Sequence, residues 1–159
     1  MIELIKKMIM EEVVRGRALD RYATMASRET INAIKDESVR DAFNTNGRVD
    51  FALDVPEITD DIDYLRMIVI KMREGDRVAT DGAYEFDLDA DDEERKTSDI
   101  YVNITLPPRY DEDYSFMSRL VAELKETFRH ELEHSSQSTE ELMVVQRAVP
   151  DREAVSYTH

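Results

Sequence analysis

Only three histidines occur in this 159-residue sequence, and two of them, His130 and His134, stand four positions apart with Glu131 between them. On a helix that spacing stacks both imidazoles on one face, a turn apart, within reach of a single divalent ion. The glutamate beside the first histidine then points to the side, where it can take a proton from a water held by that ion. His130-Glu131-Leu132-Glu133-His134 thus fits the His-Glu-x-x-His pattern of metal-assisted hydrolysis. The competing reading is a pair of solvated histidines on a charged helix.

The helix carrying the pair is predicted to begin near Ser115, with Met117, Leu120, Val121, Leu124, Phe128 and Leu132 as one apolar stripe. At about 100° per residue, His130 and His134 lie away from that stripe, so one side can be buried while the histidines face a cleft. Ser138-Thr139-Glu140-Glu141 has the form of a capping box, which predicts a turn after the motif and a new helix to about Val145. Pro150 opens a last short segment.

Upstream, Ile2, Ile5, Ile9 and Val13 have helical spacing, predicting a helix over 2–26 with Gly16 as an interruption. A second helix after Ser27 would bury Ile31, Ile34, Ala42 and Phe43. From Arg48 to Val55 the period changes to strict alternation, a strand ended by Pro56. Leu65 to Met72 is mostly apolar, as in a central strand covered on both faces. Gly75 and Gly82 flank a turn region; alternation returns at Tyr84, Phe86 and Leu88, and again from Ile100 to Ile104 before Pro107-Pro108. Helices, four strands and further helices make an α+β fold with an approximately four-stranded mixed sheet. Residues 1–159 read as one domain: a helical part over 1–47, the sheet over 48–107 and the motif-bearing part over 113–159.

With 42% apolar and 36% charged residues the chain is expected to fold and to stay in solution. Its formal net charge of −15, with no basic stripe, argues against a nucleic-acid partner. No apolar run approaches a membrane span, and the early charges at Glu3, Lys6 and Lys7 do not suit a signal peptide, so a location in the cytoplasm, or synthesis there and packaging elsewhere, is expected. The absence of cysteine excludes disulfides and thiolate metal sites. The acidic run from Asp87 to Glu94 resembles a calcium loop in outline. Asp92 replaces its glycine and Ser98 its closing glutamate, so it reads as a solvated loop.

A catalytic zinc needs a third protein ligand and an open position. Downstream of His134 stand Glu140, Glu141, Asp151, Glu153 and His159. The first two lie close to a helix start and suit capping and solvation. Glu153 is nineteen positions beyond His134, enough chain to bring a second helix back against the first. His130-Glu131-x-x-His134 followed by Glu153 resembles the zincin metallopeptidases, in particular the gluzincin branch, whose third ligand is a glutamate on a following helix. The tail from Pro150 to Tyr157, with Ser136 and Gln137 after the second histidine, is similar to small predicted metallopeptidases encoded by bacteriophages. The resemblance spans about the last sixty residues; Gln137 and Glu140 depart from the metzincin variant, and residues 1–47 carry none of it.

That resemblance implies a zincin-like fold and a zinc-dependent peptidase, with His130, His134 and Glu153 as ligands and Glu131 as general base. Tyr157 would orient a ligand or stabilise an oxyanion, or else anchor a short terminal helix. It further implies an edge strand at Ile100 to Leu106, on which a peptide or protein substrate would add as an extra strand. Two rivals remain: a catalytically silent zincin-like structural or interaction protein, as in a phage particle, and an acidic helical adaptor with an accidental motif.

Overall fold

A computed structural model of the chain describes residues 2–86 and 89–142, together with the backbone of residues 156–158. Helix α1 (Ile2–Lys35) runs through Gly16 and Ser27 without interruption, and the chain turns only at Asp36. An internal glycine costs a helix about 1 kcal/mol relative to alanine, and the burial of Leu19, Tyr22, Ala26, Ile31 and Ile34 farther along outweighs it. At Asp36 the carboxylate accepts hydrogen bonds from the amides of Ser38 and Val39, which starts helix α2 (Glu37–Asn46). Gly47, at φ 71°, ends α2 in the left-handed conformation that favours glycine.

Strand β1 (Arg48–Ala52) is shorter than the alternation to Val55 suggests. Leu53 and Val55 remain buried, but the chain leaves the ladder for a short helix, α3 (Pro56–Thr59), with Pro56 in its first turn. Strands β2 (Met67–Glu74), β3 (Ala79–Glu85) and β4 (Asp99–Leu106) follow, with the short helix α4 (Asp92–Arg95) between the last two. With a C-terminal strand β5 (Ser156–Thr158), they form a mixed sheet in the order β1-β2-β4-β3-β5. The α+β class and a mixed sheet preceded by helices are therefore observed.

Two expectations about the sheet are corrected. β4 is an interior strand, parallel to β2 on one side and antiparallel to β3 on the other, so Ile100 to Leu106 presents no open edge. β2 is sealed on one face rather than two. Ile68, Ile70 and Met72 are buried, whereas Met67, Val69 and Lys71 are half-buried on the opposite face, where the Lys71 ammonium lies 4.7 Å from the centre of the Tyr101 ring. An antiparallel neighbour such as β1 lets one side of a sheet face water, which continuous apolar sequence alone does not reveal.

On the sealed face, Ile68, Ile70 and Met72 join Ile100, Val102, Ile104 and Leu106 beneath helix α5 (Met117–Ser135). Leu120, Leu124, Phe128 and Leu132 of α5 are fully buried there, as the apolar stripe predicts. The second half of α1 packs alongside α5. Residues 139–142 are helical, in keeping with the capping-box expectation, and the Ser138 hydroxyl accepts from the Glu141 amide. Among the described residues, no helix is long and apolar enough to cross a membrane.

Tyr110 locks the α1–α2 corner. Its hydroxyl donates to the Ile34 carbonyl at 2.5 Å, and its ring meets Phe43 edge-on at 5.2 Å. A Tyr110→Phe variant should keep the ring packing and lose on the order of 1 kcal/mol, read as a lower urea midpoint with an unchanged slope. An unshifted midpoint would show that this hydrogen bond does not hold the corner.

Candidate metal centre

Thr127, His130, Glu131 and His134 recur at helical spacing, so they line the flank of α5 next to its apolar stripe. That flank is pressed onto β3. The Thr80 and Thr127 hydroxyls lie 3.3 Å apart, and a Cβ added at Gly82 would sit 2.6 Å from Thr127 Cγ2 and 3.0 Å from Glu131 Cγ. Gly82 is therefore a position inside β3 where helix and strand backbones close together, not the turn residue its sequence context suggests. The turn lies at 75–78.

The two motif imidazoles converge. Nε2 of His130 and Nε2 of His134 are 3.1 Å apart, with the rings nearly perpendicular at 84°. Two nitrogens bound tetrahedrally to one zinc ion, each at its usual bond length, would stand about 3.3 Å apart. On its other side, His134 Nδ1 lies 3.1 Å from Gln137 Oε1. An amide oxygen only accepts, so this contact assigns the proton to Nδ1 and leaves the Nε2 lone pair facing His130. Sequence reading treats Gln137 only as a family spacer; the signal it overlooks is an amide three positions after a histidine at a helix end.

Glu131 differs from its expected sideways exposure. It is fully buried, and among the described residues neither carboxylate oxygen has a partner in good hydrogen-bond geometry. Loss of hydration raises its pKa to about 8, helped by the negative charge of Asp81, while the nearby Tyr84 amide pulls the other way. Two converging imidazole nitrogens fit a share of a zinc ion's coordination, and a cation held by them would favour the charged form of the sealed carboxylate on the adjacent residue. Among the described residues, no three His, Cys, Asp or Glu side chains gather into a complete ligand set. Glu153 lies outside the described residues, as does His159. Tyr157 is placed by its backbone only, opposite Tyr84 on β3, so the tail forms a strand here rather than a terminal helix.

The far end of α5 is held by a residue the sequence does not flag. Arg95 is fully buried, and its guanidinium donates to the carbonyls of Gln137 at 2.7 Å and His134 at 3.3 Å, and to the Tyr84 hydroxyl at 3.1 Å. It also lies 4.5 Å from the centre of the Tyr64 ring. A cation at a helix C-terminus satisfies carbonyls that have no partner in the helix and opposes the negative end of its dipole. The expected solvated acidic loop is thus only part of the segment, since α4 turns Arg95 inward to brace the helix that bears the motif.

Beside His130, a cleft of about 450 Å³ runs between β3 and α5, lined by residues including Ala79, Thr80, Glu123, Glu126 and Thr127. Compared with known proteins, the chain matches no family model, no curated protein and no solved structure at a significant level.

Two measurements test this geometry. Gly82→Ala should force α5 off the strand and cost roughly 1–3 kcal/mol, seen in thermal unfolding; an unchanged midpoint would contradict the close approach. Glu131 holds its proton more tightly folded than unfolded. Its contribution to stability is therefore whole below pH of about 4.5 and is lost as pH rises through about 8. In chelator-treated protein, Glu131→Gln should gain on the parent between pH 5 and pH 9 by on the order of a few kcal/mol. Parallel pH profiles would refute the buried carboxylate.

Proposed function

We propose that the chain is a zinc-dependent peptide-bond hydrolase of the gluzincin kind, with His130, His134 and Glu153 as ligands and Glu131 as general base. The observation that carries this reading is the 3.1 Å approach of two imidazole Nε2 atoms on a helix whose intervening Glu131 is fully buried. Zinc bound there would polarise the scissile carbonyl and bring the pKa of the attacking water towards neutrality. With the ion in place, Glu131 would take a proton from the attacking water and return it to the leaving amine. Gln137 keeps His134 in the tautomer whose Nε2 can bind the ion, and Arg95 fixes the helix end on which His134 sits. Tyr157 is the candidate for oxyanion stabilisation, carried by a strand paired to β3.

The substrate-binding edge moves with the topology. β4 is flanked on both sides, whereas among the described residues β5 pairs with β3 from Ala83 to Glu85 and leaves Ala79–Gly82 without a neighbour on that side. A peptide adding to Ala79–Gly82 would run along the cleft past His130, its main chain paired to the strand. Glu126 in that cleft, next to an Arg119–Glu123 ion pair, and a net charge of −15 favour basic or neutral segments over acidic ones. The resemblance of the tail to phage-encoded metallopeptidases suggests a host cytoplasm or a virion as the setting.

Complete burial of Glu131 favours a second reading, a catalytically silent zincin-like protein that keeps the metal for structure or interaction. Metal analysis and turnover of a peptide library by the parent, His130→Ala and Glu131→Gln separate the two. The hydrolase reading expects one zinc per parent chain, zinc lost with His130, and zinc kept but turnover lowered at least about 100-fold with Glu131→Gln. Zinc without cleavage in the parent supports the silent reading, and no stoichiometric zinc in the parent defeats both.

A further inference from the structure

The unfilled part of the β3 edge stops where the motif begins. Among the described residues, β5 pairs with Ala83, Tyr84 and Glu85, and Ala79–Gly82 has no neighbour on that side. The level of α5 along the strand is fixed by three approaches. Thr127 stands against Thr80 at 3.3 Å, a Cβ on Gly82 would meet both Thr127 and Glu131, and the Tyr84 amide lies near the Glu131 carboxylate. Glu131 is therefore level with the junction between the open edge and β5. The cleft that includes His130 runs from there towards the start of α5, past Thr127 and Glu126 to Arg119.

A strand edge takes one neighbour at a time, so a peptide paired to Ala79–Gly82 meets the end of β5 at the motif. At about 3.3 Å per residue that stretch holds about four residues, all on one side of the bond beside His130. Such a peptide offers its end to the motif rather than its middle. Its direction follows from pairing and charge. β4 and β5 both run antiparallel to β3, and a peptide in the same sense points its N-terminus at β5 and its C-terminus towards the start of α5. Asp81 and Glu85 flank the junction on β3, which suits an ammonium group. The opposite sense would bring a carboxylate there. Besides the histidine, the cation among the described lining residues is Arg119, about 16 Å from His130 along α5 and bonded to Glu123.

We propose that the cleft admits the free N-terminus of a peptide, with β5 as the stop, so that the chain removes residues from that end; this rests on the zinc-hydrolase reading. Water adds across the terminal peptide bond, its hydroxyl to the carbonyl carbon and its proton to the amine that leaves. The full zinc-loaded chain is incubated with one peptide in three forms: free at both ends, N-acetylated and C-amidated. Products are followed by mass spectrometry. The free and amidated forms should lose residues singly from the N-terminus, and acetylation should lower turnover roughly 10- to 100-fold. Calorimetric binding to zinc-loaded Glu131→Gln should weaken by a similar factor on acetylation and stay unchanged on amidation. Internal cuts, equal turnover of the acetylated form or loss from the C-terminus overturn the proposal and leave a hydrolase. A zinc-loaded parent that cuts none of the three forms overturns the hydrolase reading with it.

Discussion

An ionisable side chain sealed at the contact between a helix and a strand is the constraint on which the rest of the site depends. Gly82 lets α5 approach β3 closely enough for Thr127 and Glu131 to rest on the strand. That approach strips Glu131 of water, and the same rotation of the helix turns His130 towards the cleft beside β3, while the four-residue spacing sets the His130 and His134 nitrogens together. A carboxylate in such a place raises the energy of the folded protein unless a proton or a cation joins it. The core stripe and the chemical flank of α5 are thus one geometric solution: Leu124, Phe128 and Leu132 fix the rotation, and the polar row follows from it.

Much of this was legible from residue spacing. The period-of-four histidine pair, the stripe from Met117 to Leu132 and the alternation in β1 and β4 each depend on local geometry, and local geometry is what spacing encodes. The alternation read at Tyr84, Phe86 and Leu88 mostly misses β3, which ends at Glu85, and Leu88 lies outside the described residues. Strand order is a different kind of information. Nothing in Ile100 to Leu106 distinguishes an edge from an interior strand, because its neighbours are drawn from residues distant in the chain. Gly82 and Arg95 were opaque for the same reason. A glycine near a turn and an arginine in an acidic run look ordinary until the elements facing them are known.

Arg95 also changes the meaning of the acidic segment around it. Asp91 caps α4 by accepting from the Glu94 amide, and Asp92 accepts from the Thr139 amide, so two of these carboxylates organise backbone rather than merely face solvent. Together they hold the short helix from which Arg95 reaches the carbonyls beyond the motif. Charge that looks diffuse in the sequence is spent locally on positioning one helix end.

The path from β2 to β3 has a kinetic consequence. The two strands are antiparallel and joined by a short turn, yet β4 lies between them, and a Cβ on Gly75 in that turn would come within 2.3 Å of Thr105 on β4. A short loop closes in well under a microsecond, whereas β4 arrives from farther along the chain. In the native sheet neither β2 nor β3 pairs with the other, and each finds its partner in β4 instead. The gap between β2 and β3 is filled by a strand made later in the chain, so this part of the sheet is complete only once β4 is in place.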